Sequence, residues 1–318
     1  MIRNASLAIC VWLSSLAVAG EPEIFAPGVI SGPADDAAPT FTPDGKTVYF
    51  FRHNGDDYDI LESHLRARQW TVPVIAPFSG RWRDLEPAMA PDGSYMIFAS
   101  SRPPAEGGKA IDGSWNGTDY PGKGGNLWRV DRDGQHWSKP VRLPDTINRS
   151  NAVFSPSIAA DGTLYYMEAS GEGHHWHLLH AALRDGRYQS PQALPFTVDA
   201  YRDVDPAVAP DQSYIVFSSN RPPSPSGRSD LFIAFRKNGQ WGEPVYLPET
   251  INGYGRINES RLGPDGYTLY FSSQFIVSAV YPKDVTAARK GLADMESWNN
   301  GSDNIWRIDI RPYLQHRD

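Results

Sequence analysis

One turn-and-strand phrase returns five times along this chain, and that recurrence limits the fold more than anything else in the sequence. The copies read "APTFTPDGKTVYFFR", "EPAMAPDGSYMIFASSR", "SPSIAADGTLYYMEAS", "DPAVAPDQSYIVFSSNR" and "ESRLGPDGYTLYFSS". Their turn acids are Asp44, Asp92, Asp161, Asp211 and Asp265, at spacings of 48, 69, 50 and 54 residues. A repeat of this length is one supersecondary unit that must bury its apolar face against its neighbours. Each copy joins a short apolar stretch to an alternating strand through an Asp-Gly type turn, which is hairpin grammar. A third strand follows in every unit ("DYDILESHL", "GNLWRVDRD", "WHLLHAALRD", "SDLFIAFRK", "DNIWRIDIR"). A polar turn and a fourth strand close four of them ("QWTVPVIAP", "HWSKPVRLP", "RYQSPQALP", "QWGEPVYLP"). Four antiparallel strands make a propeller blade. The fifth unit lacks its fourth strand, while Glu23–Ser31 carries that pattern with no unit of its own. The expected fold is all-β: a five-bladed β-propeller of four-stranded antiparallel blades. Its last blade is completed by the N-terminal strand, which removes an exposed sheet edge.

The remaining composition agrees with this. The chain has 318 residues, with 28 Gly and 27 Pro to punctuate many short strands. A formal charge of −7 argues against a general nucleic-acid binder, which needs a basic surface. Residues 1–19 read as a secretory signal: Arg3, an apolar run from Leu7 to Leu16, and the cleavage signal Ala17-Val18-Ala19. The single cysteine, Cys10, falls inside it. The domain expected is one propeller over 20–318, exported to the periplasm or beyond, monomeric, and with no membrane span after cleavage.

The phrases "APDGSYMIFASSRP" and "APDQSYIVFSSNRP" resemble the PD40 repeat, the WD40-like unit of TolB-like propellers. The resemblance covers the repeats of the whole exported chain. It implies a propeller fold, six-bladed in the TolB-like form, and a protein or peptide partner in the cell envelope. Similar propellers also accompany peptidoglycan-binding and peptidase domains, neither of which is expected here. Fold alone does not assign function.

Strand order sorts the two faces of such a disc. The Asp-Gly turns form a short, uniform face. The opposite face gathers the irregular segments: Pro103–Asn126, "GEGHHWH" in the third unit, and Gln274–Asn304, in which Val285–Met295 is predicted to be a short helix capped by Asp284. Insertions on one face of a rigid scaffold are where binding sites concentrate. The segments leading into the first strands add a charged ring: Asp36, Arg83, Asp84, Glu86, Arg149, Asn151, Arg202, Asp203, Asp205, Arg256, Asn258 and Glu259. Arg102 and Arg221 lie on the same side.

These charges either cross-pair to hold the blades together or bind an acidic ligand through arginine forks. Trp115, Trp176 and Trp298 lie in the irregular loops, where they would stack on a peptide or a sugar. Trp70, Trp137 and Trp241 recur at one repeat position and are read as packing residues. The acids Asp36, Glu86, Asp205 and Glu259 are taken to occupy equivalent repeat positions. They are the candidates for a second class of function, glycan binding or glycoside cleavage, which needs paired carboxylates. No nucleophile elbow or phosphate loop is present in the sequence. His175 and His177 alternate on a strand beside His174 and His180 and offer two metal ligands without a third. An exposed polar loop is the preferred reading there, and no metal or cofactor is expected.

Overall fold

Five blades surround a central channel in this computed structural model, which describes residues 20–170, 175–225, 228–274 and 280–315. The expected signal at 1–19, with Cys10, lies outside the described residues, as does His174. The innermost strands are Asp35–Phe41, Asp84–Met89, Val153–Ile158, Asp203–Val208 and Ile257–Leu262. Each pairs with the strand that follows its Asp-Gly turn, and that strand pairs with the third. The blade count is five, not the six of the TolB-like form.

Burial falls from the axis outward, as the apolar patterning requires. The inner strand Asp84–Met89 and its partner Tyr95–Ser100 are buried at every residue, whereas the outer pieces are exposed or half-buried. One aromatic per blade, at the same position of the second strand, is fully buried: Phe50, Phe98, Tyr166, Phe217 and Phe271. Small residues such as Ala88, Ala90, Ala207 and Ala209 let the inner strands converge. The turn acids each accept a hydrogen bond from the backbone N–H two residues on, at 2.9–3.1 Å. They therefore shape turns, as Asp residues at such sites do.

The fourth strands are shorter than their sequence pattern suggests. Each is broken into two-residue pieces, such as Gln69–Trp70 and Val74–Ile75, because a proline (Pro73, Pro140, Pro191 or Pro244) interrupts it and cannot donate to the ladder. The N-terminal strand behaves alike. Glu23–Ile24 pairs with Arg307 and Trp306, and Phe25 N–H donates to Ile305 O at 2.8 Å, before the chain turns at Pro27-Gly28. Phe25 and Ile30 are buried against Phe41, Phe50 and Tyr270, so this segment joins the last blade to the first. Among the described residues no helix is long and apolar enough to cross a membrane.

Candidate functional site at the channel

Every inner strand carries a bulge, a register shift in which one residue drops out of the ladder. The bulged residues are Ala38, Glu86, Ser155, Asp205 and Glu259, with φ between 48° and 55°. None is glycine, so each holds a left-handed conformation that the surrounding sheet must enforce. Pro39, Pro87, Pro156 and Pro206 follow four of them and supply no N–H to the ladder. Five such positions around one axis make a ring, and three of them are acids.

The carboxylates of Glu86, Asp205 and Glu259 converge, with one oxygen of each within 4.8 Å of the others. Glu86 accepts from the Ser155 N–H of the next blade at 2.6 Å, and Asp205 from the Glu259 N–H of the next blade at 3.0 Å. Two of the acids are therefore blade-to-blade ties. Among the described residues Glu259 has no such tie: its side chain meets Arg261 Nη2 at 3.4 Å. The Arg261 guanidinium spans the channel, donating also to Ser260 O at 2.7 Å and to Ser155 Oγ at 3.2 Å. Burial and the charge of Asp205 push the Glu86 carboxyl up to about 7. Burial, Asp205 and Glu86 hold Glu259 well above the usual carboxylate range. Burial also lowers Arg202, which faces Asp205, Arg256 and Glu259.

Asp36 does not belong to this set. Strand register makes it equivalent to Asp84 and Asp203, two residues before the bulge, and all three are fully buried in arginine clamps. Arg102 Nη2 lies 2.6 Å from Asp84 and donates to Phe78 O at 3.2 Å, with Ser100 bridging. Arg221 repeats this with Asp203, Ser219 and Phe196 O, and Arg52 does so with Asp36 and Ile30 O. Each clamp ties the crossover from the preceding blade to the new inner strand. Arg102 and Arg221 thus spend their donors inside the fold.

Nearer the loop-rich face, at the seam of the first and last blades, lie Asp35, His53 and Asp303. His53 Nδ1 is 3.6 Å from Asp35, and Asp303 N–H donates to Asp35 at 2.7 Å. The His53 ring stacks on Tyr58 at 4.5 Å, and the Arg83 guanidinium covers the other partner of that stack, 3.9 Å from the Tyr58 centroid. Arg149 pairs with Glu168, and Arg256 is exposed.

The loop tryptophans are engaged in packing. Trp115 stacks on Tyr120 at 4.2 Å and meets Phe154 and Trp176 edge-on; Trp176 is buried, and Trp298 packs against Trp306. Trp70, Trp137 and Trp241 also pack: Trp137 bridges to Tyr49 of the first blade, Trp241 to Tyr165 of the third, and Trp70 to Phe25. His177 turns to Asp199 at 2.9 Å, and His175 and His177 join no three-ligand cluster among the described residues. The helix Val285–Met295 forms with Asp284 as its cap, the carboxylate accepting from Ala287 N–H at 2.7 Å. No residue of it is buried.

Sequence reasoning missed Arg261, Asp35, His53 and Asp303. Arg261 was detectable: it stands where the other inner strands carry Thr40, Ala88, Ser157 and Ala207. The other three are brought together only by ring closure.

No family model matches this sequence, and no curated protein matches it. Solved structures do. A thermostable family-43 glycoside hydrolase aligns with a TM-score of 0.52 at 11% identity, over 87% of this chain and 88% of that one. A protein assigned as TolB from Agrobacterium tumefaciens aligns at 0.48 and 16% identity, over 80% and 75%. TolB from Acinetobacter baumannii aligns at 0.40 and 20% identity, over 68% of this chain but 47% of its own. The first of these is a likeness of fold.

Proposed function

We propose that this chain is an exported propeller that binds a protein or peptide partner of the cell envelope on its loop-rich face. One observation carries the reading: an apolar stripe left open to solvent along one side of a helix, where other exposed apolar residues, such as Val72 and Val141, lie in the outer segments of the blades. Val285, Leu292 and Met295 are each about two-thirds exposed, at 67%, 65% and 68%, and with Ala288 they follow helical spacing along one side of Val285–Met295. Val280 and Tyr281, 82% and 75% exposed, precede the helix in the same insertion. Contiguous apolar surface of this kind marks interaction sites, and an amphipathic helix is a common docking element. The insertion is anchored rather than trailing, since Asn300 and Ser302 donate to Pro33 O at 2.8 and 3.0 Å beside the first inner strand. The PD40-like repeats and the leader-like segment 1–19 agree with an envelope partner. The test is capture from envelope extract with wild-type protein and with the Leu292→Asp/Met295→Asp double variant. The reading expects a specific partner to be lost with the double variant while the melting temperature is unchanged; identical capture by both proteins would refute it.

A second reading has its own support in Glu259. Among the described residues this acid lacks a blade-to-blade tie, its carboxyl is raised, and two further carboxylates lie beside it. Glycoside cleavage uses a carboxyl of raised pKa as its acid, with a second carboxyl nearby. A chromogenic glycoside panel decides it: turnover abolished by Glu259→Gln supports it, and no turnover by the wild type on any member removes it.

A further inference from the structure

The seam cluster has properties that the central trio lacks. Asp35 and His53 come from the first blade and Asp303 from the last, so only closure of the ring assembles them. One ligand atom of each lies within 4.8 Å of the others. His53 Nδ1 and Asp303 Oδ1 are shielded from solvent, and neither has a hydrogen-bond partner among the described residues. A shielded imidazole nitrogen and a shielded carboxylate oxygen are costly to leave unpaired. In the central trio Glu86 and Asp205 both accept backbone N–H groups, where in the seam cluster only Asp35 does, and Arg261 already supplies a positive charge in contact with Glu259.

We propose that Asp35, His53 and Asp303 form a divalent-cation site that staples the first blade to the last. One imidazole and two carboxylates suit Zn²⁺ or Mn²⁺, since imidazole favours transition metals over Ca²⁺. Metal–ligand bonds of about 2.0–2.2 Å place neighbouring ligands roughly 3.3 Å apart. Asp35 and His53 stand at 3.6 Å already, so small side-chain rotations complete the set. The charges around the site are Arg83, held behind the Tyr58 ring, and Arg256; Gln274 is the polar neighbour of Asp303. Both arginines oppose a cation, and the two carboxylates offset them. The remaining coordination positions would be filled by water on the loop-rich side. Since only the closed ring presents all three ligands, binding stabilises the native state by linkage.

The experiment is calorimetric titration of the whole exported chain with ZnCl₂ and with MnCl₂, alongside thermal melts with and without EDTA. Wild type, His53→Gln, Asp303→Asn and Glu259→Gln are compared. One equivalent should bind wild type and Glu259→Gln, raise the melting temperature by a few degrees, and bind His53→Gln and Asp303→Asn at least tenfold more weakly. The melt of each protein in EDTA is its own baseline; metal should raise wild type and Glu259→Gln above theirs and leave His53→Gln and Asp303→Asn on theirs, which separates metal loss from misfolding. In the unmodified protein, Mn²⁺ should broaden the His53 ring signals before those of His175 and His177. Absence of saturable binding at submillimolar metal, binding untouched by His53→Gln, or binding lost instead in Glu259→Gln would each overturn the site.

Discussion

Glu86, Asp205 and Glu259 share a backbone conformation and a carboxyl side chain, yet their partners differ. Two of them accept a backbone N–H of the next blade; the third is held among like charges, with Arg261 in contact and Arg202 facing it. The consequence can be read in the pH dependence. Glu86 holds its proton up to about pH 7 in the folded protein, whereas an unfolded glutamate releases it near 4.5. Between those values the native state binds the extra proton, so stability falls as the pH rises. Glu86→Gln should remove that loss and gain about 3 kcal/mol at pH 8 while changing little at pH 4. Urea melts across pH 4–8 check this, and a wild type that grows more stable with pH would contradict it. The clamps make the opposite prediction for a charge. Arg102→Ala leaves Asp84 buried without its partner and should cost about 3–5 kcal/mol, whereas the Asp84→Ala/Arg102→Met pair should cost less than the single change. A chemical-denaturation cycle measures the difference.

At the level of elements, the hairpins were legible because they rest on local chemistry. Asp92 and Gly93 make a turn wherever they are placed, and Gly93 is irreplaceable for two reasons. Its φ is +74°, and a Cβ there would sit 2.7 Å from Pro43 of the adjacent blade's turn. Gly93→Ala should therefore destabilise the protein by about 1–2 kcal/mol, readable in the same melts. Helix Val285–Met295 was legible too, down to its Asp284 cap, since capping is a short-range signal. The bulges were not. A residue such as Glu86 at positive φ is imposed by convergence of five strands on one axis, and nothing in "LEPAM" announces it. That hidden offset is why Asp36 read as an equivalent of Glu86 when it is an equivalent of Asp84. The packing of the loop tryptophans was equally hidden. Trp115 looked free in a loop, but the loop folds back to stack it on Tyr120 and against Trp176.

For the whole molecule, closure is the central structural event. The sequence's half-built fifth unit and spare N-terminal strand anticipated it, and Phe25 shows how it is secured. Its ring packs edge-on against Phe41, Trp70 and Tyr270, joining residues of the first and last blades. Phe25→Ala should cost about 3–5 kcal/mol and raise hydrogen exchange first along Asn304–Asp309. The closed ring also explains the asymmetry of the disc. One face is fixed by five near-identical turns, so variation accumulates on the other, where the seam acids, the channel mouth and the exposed helix meet. A photo-crosslinking residue placed at Leu292, compared with one at Asp92 on the turn face, tests that division most directly. The account predicts a discrete adduct in living cells from position 292 and none from position 92. No adduct from position 292, or the same adduct from both, would contradict it.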